Sequence, residues 1–217
     1  MSKTTAFLTS SVGRKILMGL TGFFLCSFLV VHLYINLFLF KQDGGGTFDV
    51  YSEFMATYPL IRPLEVVLFL GFILHAIVGI WLWISNRKAR PQRYQVNKAS
   101  DNSTLASRTT FLTGSVVLIF LVIHINTFFV QSRFFPSGKT MYQIIEEAFR
   151  HPWYDAFYAV AIAFLAYHLK HGFESAFQTF GIRHEKYQTL IQLAGIVFWL
   201  IIPLGFVAMP FYFLWFH

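Results

Sequence analysis

Four histidines lie inside long apolar stretches of the chain: His32, His75, His124 and His168. Ionisable side chains are costly in the hydrocarbon region of a membrane, and those that occur there are rare and usually functional. A neutral imidazole ring binds a metal through one nitrogen and keeps its proton on the other, and it serves as an axial ligand of haem iron. One lone histidine is explained better by a hydrogen bond to a neighbouring helix. Four histidines on four different stretches predict a site that performs chemistry.

Two of these histidines are predicted to reach the same depth. At about 1.5 Å of rise per residue, His32 lies roughly 25 Å along a helix from Lys15. By the same measure, His124 lies roughly 24 Å from Arg108. If both basic residues mark the inner membrane surface, the two rings share one level in the outer half of the bilayer.

The other two histidines are approached from the opposite surface. His75 lies roughly 20 Å past Arg62, and His168 lies roughly 22 Å past Trp153, so both reach the inner half. Two imidazoles at one depth on facing helices can ligate one haem iron from both sides. The spacing therefore predicts two b-type haems. The predicted ligand pairs are His32 with His124 and His75 with His168.

Glycines near the histidines are consistent with room for a porphyrin. Gly71 and Gly79 stand one turn before and one turn after His75 on the same helix face. Gly19 and Gly22 give a small surface in the first apolar stretch, at the level where a second haem would pass. Small residues at such spacing also serve plain helix packing, so both explanations stay open.

Other uses of histidine fit the pattern less well. A structural zinc site needs four ligands that converge on one ion, whereas two pairs at different depths do not converge. A proton relay usually includes carboxylates at mid-membrane depth, which the histidine-bearing stretches lack. His171 is a second candidate ligand in the fourth stretch, but His168 matches the depth of His75 better. We expect solvated side chains at the remaining histidines, His151, His184 and His217.

The elements that position these histidines are predicted to be transmembrane helices. Of the 217 residues, 56% are hydrophobic and 12% are charged, whereas about a quarter are charged in a soluble domain. A helix needs about 20 apolar residues to span a bilayer. Five stretches have that length: 16–40, 64–85, 111–130, 153–170 and 190–215. We predict an all-α integral membrane protein in which a single domain, 1–217, forms a five-helix haem-binding bundle.

The distribution of charge predicts the orientation of this bundle. With the N-terminus in the cytoplasm and the C-terminus outside, most of the 17 Lys and Arg residues fall on the inner side, as the positive-inside rule requires. Part of this bias comes from the polar, basic inner loop 87–107, and most acids, including Asp155, fall outside. The net charge of +7 thus indicates membrane orientation and not nucleic-acid binding. Cys26, the only cysteine, cannot hold an iron–sulfur cluster, which needs several thiolates.

The chain resembles the cytochrome b subunit of succinate:quinone oxidoreductases, the five-helix, two-haem type that forms a single anchor chain. The resemblance covers nearly the whole chain and follows the order of the histidines. It is carried by residues 10–22 (SSVGRKILMGLTG), 31–37 (VHLYINL), 74–76 (LHA), 123–126 (IHIN) and 167–172 (YHLKHG).

The resemblance implies partners and a path for electrons. A flavoprotein subunit and an iron–sulfur subunit would bind the inner face, and electrons would pass between them and a membrane quinone, menaquinone in many such complexes. The reverse direction, from quinol to fumarate, has the same architecture. The axial ligands carry over onto the pairs found from depth. His75 and His168 would hold the haem proximal to the soluble subunits, and His32 and His124 the distal haem.

The quinone site carries over less completely. Such a site is expected near the distal haem, where an acidic group exchanges protons with the outer aqueous phase. The candidates are Glu53, Glu65 and Arg62, for which a solvated loop charge is an equal alternative. Candidate partners of the haem propionates are Arg14, Lys15 and His171, although Arg14 and Lys15 also serve as ordinary anchors at the inner surface.

Two alternatives to this function stay open. The chain could be the cytochrome b anchor of another membrane dehydrogenase or hydrogenase, which would share paired histidines but not the motif at 10–22. From a different class, it could be a haem-free transporter or a structural anchor. The expected location is the bacterial cytoplasmic membrane, with lipid and quinone as the small partners.

Overall fold

The computed structural model describes residues 10–89, 105–135, 137–182 and 184–216. Most of the predicted inner loop 87–107 lies outside the described residues, and so do several of the basic residues counted for the orientation. Within the described ranges the chain is helical and contains no strand.

Seven helices follow one another in the residues that the structure describes. The first three are α1 (Ser11–Asn36, continued by a 3-10 turn at Leu37–Phe40), α2 (Gly46–Thr57) and α3 (Ile61–Lys88). Helix α4 comprises Leu105–His124, a π-helical turn at Ile125–Val130 and a last turn at Gln131–Phe134. Then come α5 (Met141–Ala148), α6 (Pro152–Thr179) and α7, which comprises Glu185–Ile196, a π-helical turn at Val197–Ile201 and Ile202–Phe216.

Four helices in the described ranges are long and apolar enough to cross a membrane. They cover Ser11–Phe40, Ile61–Lys88, Arg108–Phe134 and Glu185–Phe216. Large apolar side chains cover their outward faces: Leu64 is 60% exposed and Val122 is 62% exposed. Apolar surface of this extent is stable against lipid and not against water. The chain is therefore a multi-pass membrane protein.

Helix α6 is not among these four helices, although its 28 residues equal the length of α3. Asp155, His168 and Lys170 reduce its apolar character. The position of α6 explains why it tolerates them, because it packs against α1, α4 and α7 at the centre of the bundle. A helix that contacts other helices needs less apolar surface than one that contacts lipid. A fifth span along α6 stays a prediction.

The helix ends follow from local sequence. The Ser10 hydroxyl accepts a hydrogen bond from the Gly13 amide at 3.0 Å and so caps α1. Thr140 and Gln143 form a reciprocal capping box at the start of α5. Pro152 occupies the first turn of α6, where its missing N–H costs nothing.

Helices α2 and α5 cover one end of the bundle, here called the α2/α5 end. The Tyr142 amide donates a hydrogen bond to Asp49 Oδ1 at 2.9 Å and so joins the two helices. Gly45 precedes α2 with φ of +83°, and a Cβ atom there would lie 2.1 Å from the Tyr142 ring. Only glycine fits this position. The largest group of buried apolar side chains, including Phe48 and Phe213, lies at this end.

The structure extends most of the predicted stretches and contains two short helices, α2 and α5, between them. Helix α6 continues from the predicted end at residue 170 to Thr179, and α1 begins five residues earlier than predicted. Asp155 was expected on the outer side with the other acids, but it is buried with 7% exposure. The side of the membrane on which Asp155 lies stays a prediction, and its side chain is buried because the first turn of α6 already lies between neighbouring helices.

Candidate functional site

His32 and His124 meet between α1 and α4. Their ring centres are 5.8 Å apart, and the ring planes cross at 86°. His124 is the last residue before the π-helical turn of α4. Phe206 of α7 closes one side of the pair, with its ring centre 5.5 Å from that of His32. This pair lies towards the α2/α5 end of the bundle.

His75 and His168 form a second pair between α3 and α6. Their ring centres are 6.2 Å apart, and the ring planes cross at 79°. His75 lies farther than His32 from the α2/α5 end, because α3 starts at that end with Ile61. His168, and not His171, is the residue that faces His75. The structure thus brings the four rings together in the two predicted combinations.

Both distances match the separation of two axial ligands on one metal. A metal–imidazole bond of about 2 Å places the two ligating nitrogens about 4 Å apart and the ring centres roughly 6 Å apart. Edge-to-face packing of aromatic rings produces similar distances. These distances are required for a shared metal, but aromatic packing alone also produces them. The hydrogen bonds of each ring show which nitrogen could bind a metal.

The Nδ1 atom of His75 lies 3.1 Å from the Thr21 hydroxyl oxygen. That hydroxyl also lies 2.9 Å from the Leu17 carbonyl oxygen, to which it donates its only hydrogen. The Thr21 oxygen must then accept a hydrogen bond from Nδ1–H of His75. This tautomer leaves the Nε2 lone pair of His75 free, as in metal-binding histidines whose other nitrogen donates to a fixed acceptor.

The rings of the other pair are also held through Nδ1. His124 Nδ1 lies 2.7 Å from the hydroxyl oxygen of Tyr158, a buried residue of α6. His32 Nδ1 lies 3.4 Å from the side-chain amide of Asn36, one turn later on α1, and that amide also donates to the His32 carbonyl oxygen at 2.8 Å. The Asn36 amide nitrogen can only donate, so its contact makes His32 Nδ1 an acceptor and, unlike the Thr21 contact, does not select a tautomer with a free Nε2.

His168 is different, because no described side chain holds its buried Nδ1 atom and the hydrogen-bond partner of the ring is the backbone of Thr110 in α4. Its ring rests against the backbone of α4 at Gly114. A Cβ atom on Gly114 would lie 3.2 Å from His168 Cε1. A Cβ atom on Gly22 of α1 would lie 3.5 Å from His75 Cε1 in the same way. Each ring of this pair therefore lies against a glycine that keeps the adjoining space open.

The glycine predictions divide between the two explanations. Gly22 adjoins His75, which fits its predicted place beside a haem. Gly71 instead receives the ring of Phe24, 2.7 Å from where its Cβ would be, and Gly79 receives Met18. These two glycines serve the packing of α3 on α1. The sequence analysis did not single out Gly114. Its only signal in the sequence is that a glycine stands among bulky residues in the third stretch.

The arrangement provides two protein ligands at each site. All four histidines are half-buried and lie within helices. In the part of the chain that the structure describes, no three His, Cys, Asp or Glu side chains lie close enough together to hold a metal ion. A bare ion would lack ligands between two imidazoles, whereas haem iron already has four from the porphyrin. The donor set fits a haem.

The three candidate propionate partners lie at the opposite end of the bundle from α2 and α5. Arg14 donates a hydrogen bond to the Ser85 hydroxyl at 3.0 Å and lies 4.6 Å from the Trp81 ring centre. Ser85 is roughly 15 Å along α3 from His75. Lys15 is exposed, and His171 is half-buried one turn beyond His168. These contacts join Arg14 to α3.

Two of the three quinone-site candidates meet at the α2/α5 end. Arg62 Nη1 lies 3.0 Å from Glu65 Oε2. Arg133 at the end of α4 lies 3.7 Å from the same oxygen and donates to the Ala56 carbonyl of α2 at 3.2 Å, an acceptor that Arg62 shares. Glu53 is exposed on α2 and is not part of this cluster. Sequence reasoning missed Arg133, which a basic residue just past an apolar stretch could have indicated.

Comparison of the chain with models of protein families, with curated proteins and with solved structures found no match.

Proposed function

We propose that the chain is a di-haem cytochrome b that anchors a succinate:quinone oxidoreductase in the membrane. One observation carries the proposal: two histidine pairs at two levels of the bundle, with ring centres 5.8 Å and 6.2 Å apart. Each separation fits two axial ligands of one haem iron. The motifs around these histidines supply the link to this class of complex, which rests on resemblance alone.

The proposed topology has five spans, with α6 as the central one. Four candidate spans accompany α6. With α6 as the fifth span, the two ends of the chain would lie on opposite sides of the membrane. The excess of Lys and Arg puts the N-terminus inside a bacterial cytoplasmic membrane. The α2/α5 end then faces outwards, and the opposite end is where the flavoprotein and iron–sulfur subunits would bind.

The residues of each pair have defined roles in this proposal. His32 and His124 hold the outer, distal haem, and His75 and His168 hold the inner, proximal haem. Thr21 and Tyr158 fix the ring orientation of His75 and His124 through Nδ1. Bound haem supplies reversible one-electron chemistry. The chain's own part is to hold the ligating nitrogens, exclude water with the surrounding aromatic rings and tune the potential through these hydrogen bonds.

Electrons would pass through the two sites between the iron–sulfur subunit and a quinone, menaquinone being the expected type. Candidate contacts of the haem propionates are Arg14, Lys15 and His171. The cluster of Arg62 and Glu65, with Arg133 added, and the exposed Glu53 are the candidates for proton exchange at the outer surface. The chain by itself does not act on succinate in this proposal.

The first test is a pyridine haemochrome assay with protein quantitation on the detergent-purified complex. We expect two b haems per chain. His32→Ala and His75→Ala should each leave one haem per chain. The double variants His32→Ala/His124→Ala and His75→Ala/His168→Ala should also keep one haem, because both residues of each pair hold the same haem. The exposed His151 provides a matched control, because His151→Ala should keep both haems.

The outcomes separate the proposal from its alternatives. No haem in a folded, assembled preparation would contradict the proposal and favour a transporter or a structural anchor. Two haems in a complex that lacks succinate dehydrogenase and fumarate reductase activity would keep the cytochrome. That result would move the chain to another dehydrogenase or hydrogenase.

A further inference from the structure

Asp155 is a buried carboxylate outside the two histidine pairs. It is 7% exposed, and neither of its side-chain oxygens has a hydrogen-bond partner among the described residues. The side chain of the preceding residue, Tyr154, is buried as well, and its hydrogen-bond partner is Tyr158. Burying a carboxyl group without hydrogen bonds is unfavourable. The position of Asp155 in the first turn of α6 offsets part of this cost through the helix dipole, but no described group occupies its lone pairs.

The carboxylate faces a cavity between α6 and α7. The cavity has a volume of about 250 Å³. Apart from Asp155 its walls are apolar, with small residues on the α6 side and larger ones on the α7 side: Pro152, Ala156, Ala159, Pro210, Phe211 and Leu214. A cavity of about 150 Å³ holds a benzene ring. This one has room for a substituted one-ring or two-ring head group.

The cavity opens to the lipid side of the bundle. Phe211 and Leu214 in its wall are 48% and 45% exposed, and Ala156 is exposed as well. Trp153 and Trp215, at the neighbouring ends of α6 and α7, are exposed aromatics of the kind that mark a membrane interface. A ligand that enters here comes from the bilayer, near its surface. Such a ligand must be lipid-soluble and must present a polar group to Asp155.

The cavity also lies close to the His32–His124 pair. Asp155 precedes Tyr158 by three residues, about one turn of α6, so the two residues are neighbours on the surface of that helix. The Tyr158 hydroxyl lies 2.7 Å from His124 Nδ1. A ring held by Asp155 would therefore lie about one helical turn from the contact that holds a proposed distal haem ligand.

We propose that this cavity binds the head-group ring of a lipid-soluble quinol, with the Asp155 carboxylate accepting a hydrogen bond from a ring hydroxyl. The identity of the ligand rests on the proposed function, in which the chain exchanges electrons with a quinone. The cavity and the unpartnered carboxylate do not depend on that function. The inference places the quinol ring at α6 and α7, and not at the cluster of Arg62 and Glu65.

The test is a binding assay on the complex in lipid nanodiscs. The probe is tritium-labelled 2,3-dimethyl-1,4-naphthoquinol kept reduced with dithionite, and 2,3-dimethylnaphthalene is the matched ligand without hydroxyls. Asp155→Leu should weaken quinol binding about tenfold or more, the loss expected for one hydrogen bond to a charged group. It should leave binding of the hydrocarbon unchanged. Ala159→Phe, which fills the cavity, should weaken binding of both ligands.

Glu174→Leu is the matched control, because Glu174 is an exposed acid at the far end of the same helix. It should change neither dissociation constant. Unchanged quinol binding in Asp155→Leu would overturn the inference, and so would a tenfold loss found only in Glu65→Gln. The haem content of the same nanodiscs separates the two proposals. If the chain holds two haems but quinol binding does not depend on Asp155, only the cavity proposal fails. If quinol binding depends on Asp155 but the chain holds no haem, the cavity proposal is supported and the cytochrome proposal is contradicted.

Discussion

The Thr21 hydroxyl oxygen lies 3.1 Å from Nδ1 of His75 and joins α1 to α3 at the level of the His75–His168 pair. Since the hydroxyl hydrogen is directed at the Leu17 carbonyl oxygen of its own helix, the oxygen is the acceptor. The contact therefore selects one tautomer of His75 and one ring orientation. A ring held in this way keeps the lone pair of Nε2 free, and its centre lies 6.2 Å from that of His168.

Replacing Thr21 tests the contribution of this contact. Thr21→Val keeps the shape of the side chain and removes the acceptor, so His75 Nδ1–H loses its partner. Loss of a group that orients a ligating histidine weakens metal binding by about 10-fold to 100-fold. We expect weaker retention of one haem of the two and a shifted reduction potential for that haem. Redox titration followed by absorbance, together with haem content after dilution, measures both effects.

Thr179→Val is the control for that substitution. The Thr179 hydroxyl donates to the Ser175 carbonyl oxygen at 2.9 Å, which repeats the bond of Thr21 within its own helix. Thr179 lies at the end of α6, away from both histidine pairs. If Thr179→Val changed the haem content as much as Thr21→Val did, the role assigned to Thr21 would be wrong.

Gly114 supports the same pair from the other side. A Cβ atom at this position would lie 3.2 Å from His168 Cε1, so Gly114→Leu would displace the ring. The other pair lies at a different level and should remain intact. We expect haem per chain to fall from two towards one, as measured by pyridine haemochrome. Gly172→Leu is the matched control, since nothing lies within 4 Å of a Cβ atom there. Equal loss from both variants would contradict a local effect.

The existence of the helices and the pairing of the histidines could be predicted from the sequence for one physical reason. Bilayer thickness fixes the length of a span, and helical rise converts residue number into depth. Those two constants were enough to predict that His32 would meet His124 and that His75 would meet His168, as the ring contacts show. Whether haem occupies those sites stays a prediction.

The rotation of each helix about its axis could not be predicted in this way. It depends on which side chains interlock, and the contacts that Thr21, Gly114 and Arg133 make across helices follow from it. The burial of Asp155 was missed for the same reason, because its sequence position is that of an interfacial acid. Helix α6 shows the limit of hydropathy, since a central helix carries polar groups that a lipid-facing helix cannot.

The end of α2 depends on two arginines from other helices. Arg133 of α4 donates to the Ala56 carbonyl oxygen at 3.2 Å through both terminal nitrogens. Removing these bonds in Arg133→Met should destabilise the last turn of α2 by about 1 kcal/mol, or about a fivefold change in local opening. Hydrogen–deuterium exchange of the amides at 54–58 should rise accordingly. Lys139→Met removes only an exposed ion pair with Glu147 and should leave these amides unchanged.

The Asp155 carboxylate should reduce the stability of the chain when no ligand is bound. Both oxygens are buried without partners, and a buried unsatisfied polar group costs about 1–3 kcal/mol. Asp155→Leu replaces that group with an apolar side chain and should raise the midpoint of thermal unfolding by about 3 °C, since about 1 kcal/mol corresponds to 2–4 °C at this chain length. Differential scanning fluorimetry on ligand-free protein measures the shift. The exposed Glu174 has no such cost to relieve, so Glu174→Leu should leave the midpoint unchanged. A lower midpoint in Asp155→Leu would mean that the carboxylate has a stabilising partner and would remove the physical basis for a ligand there.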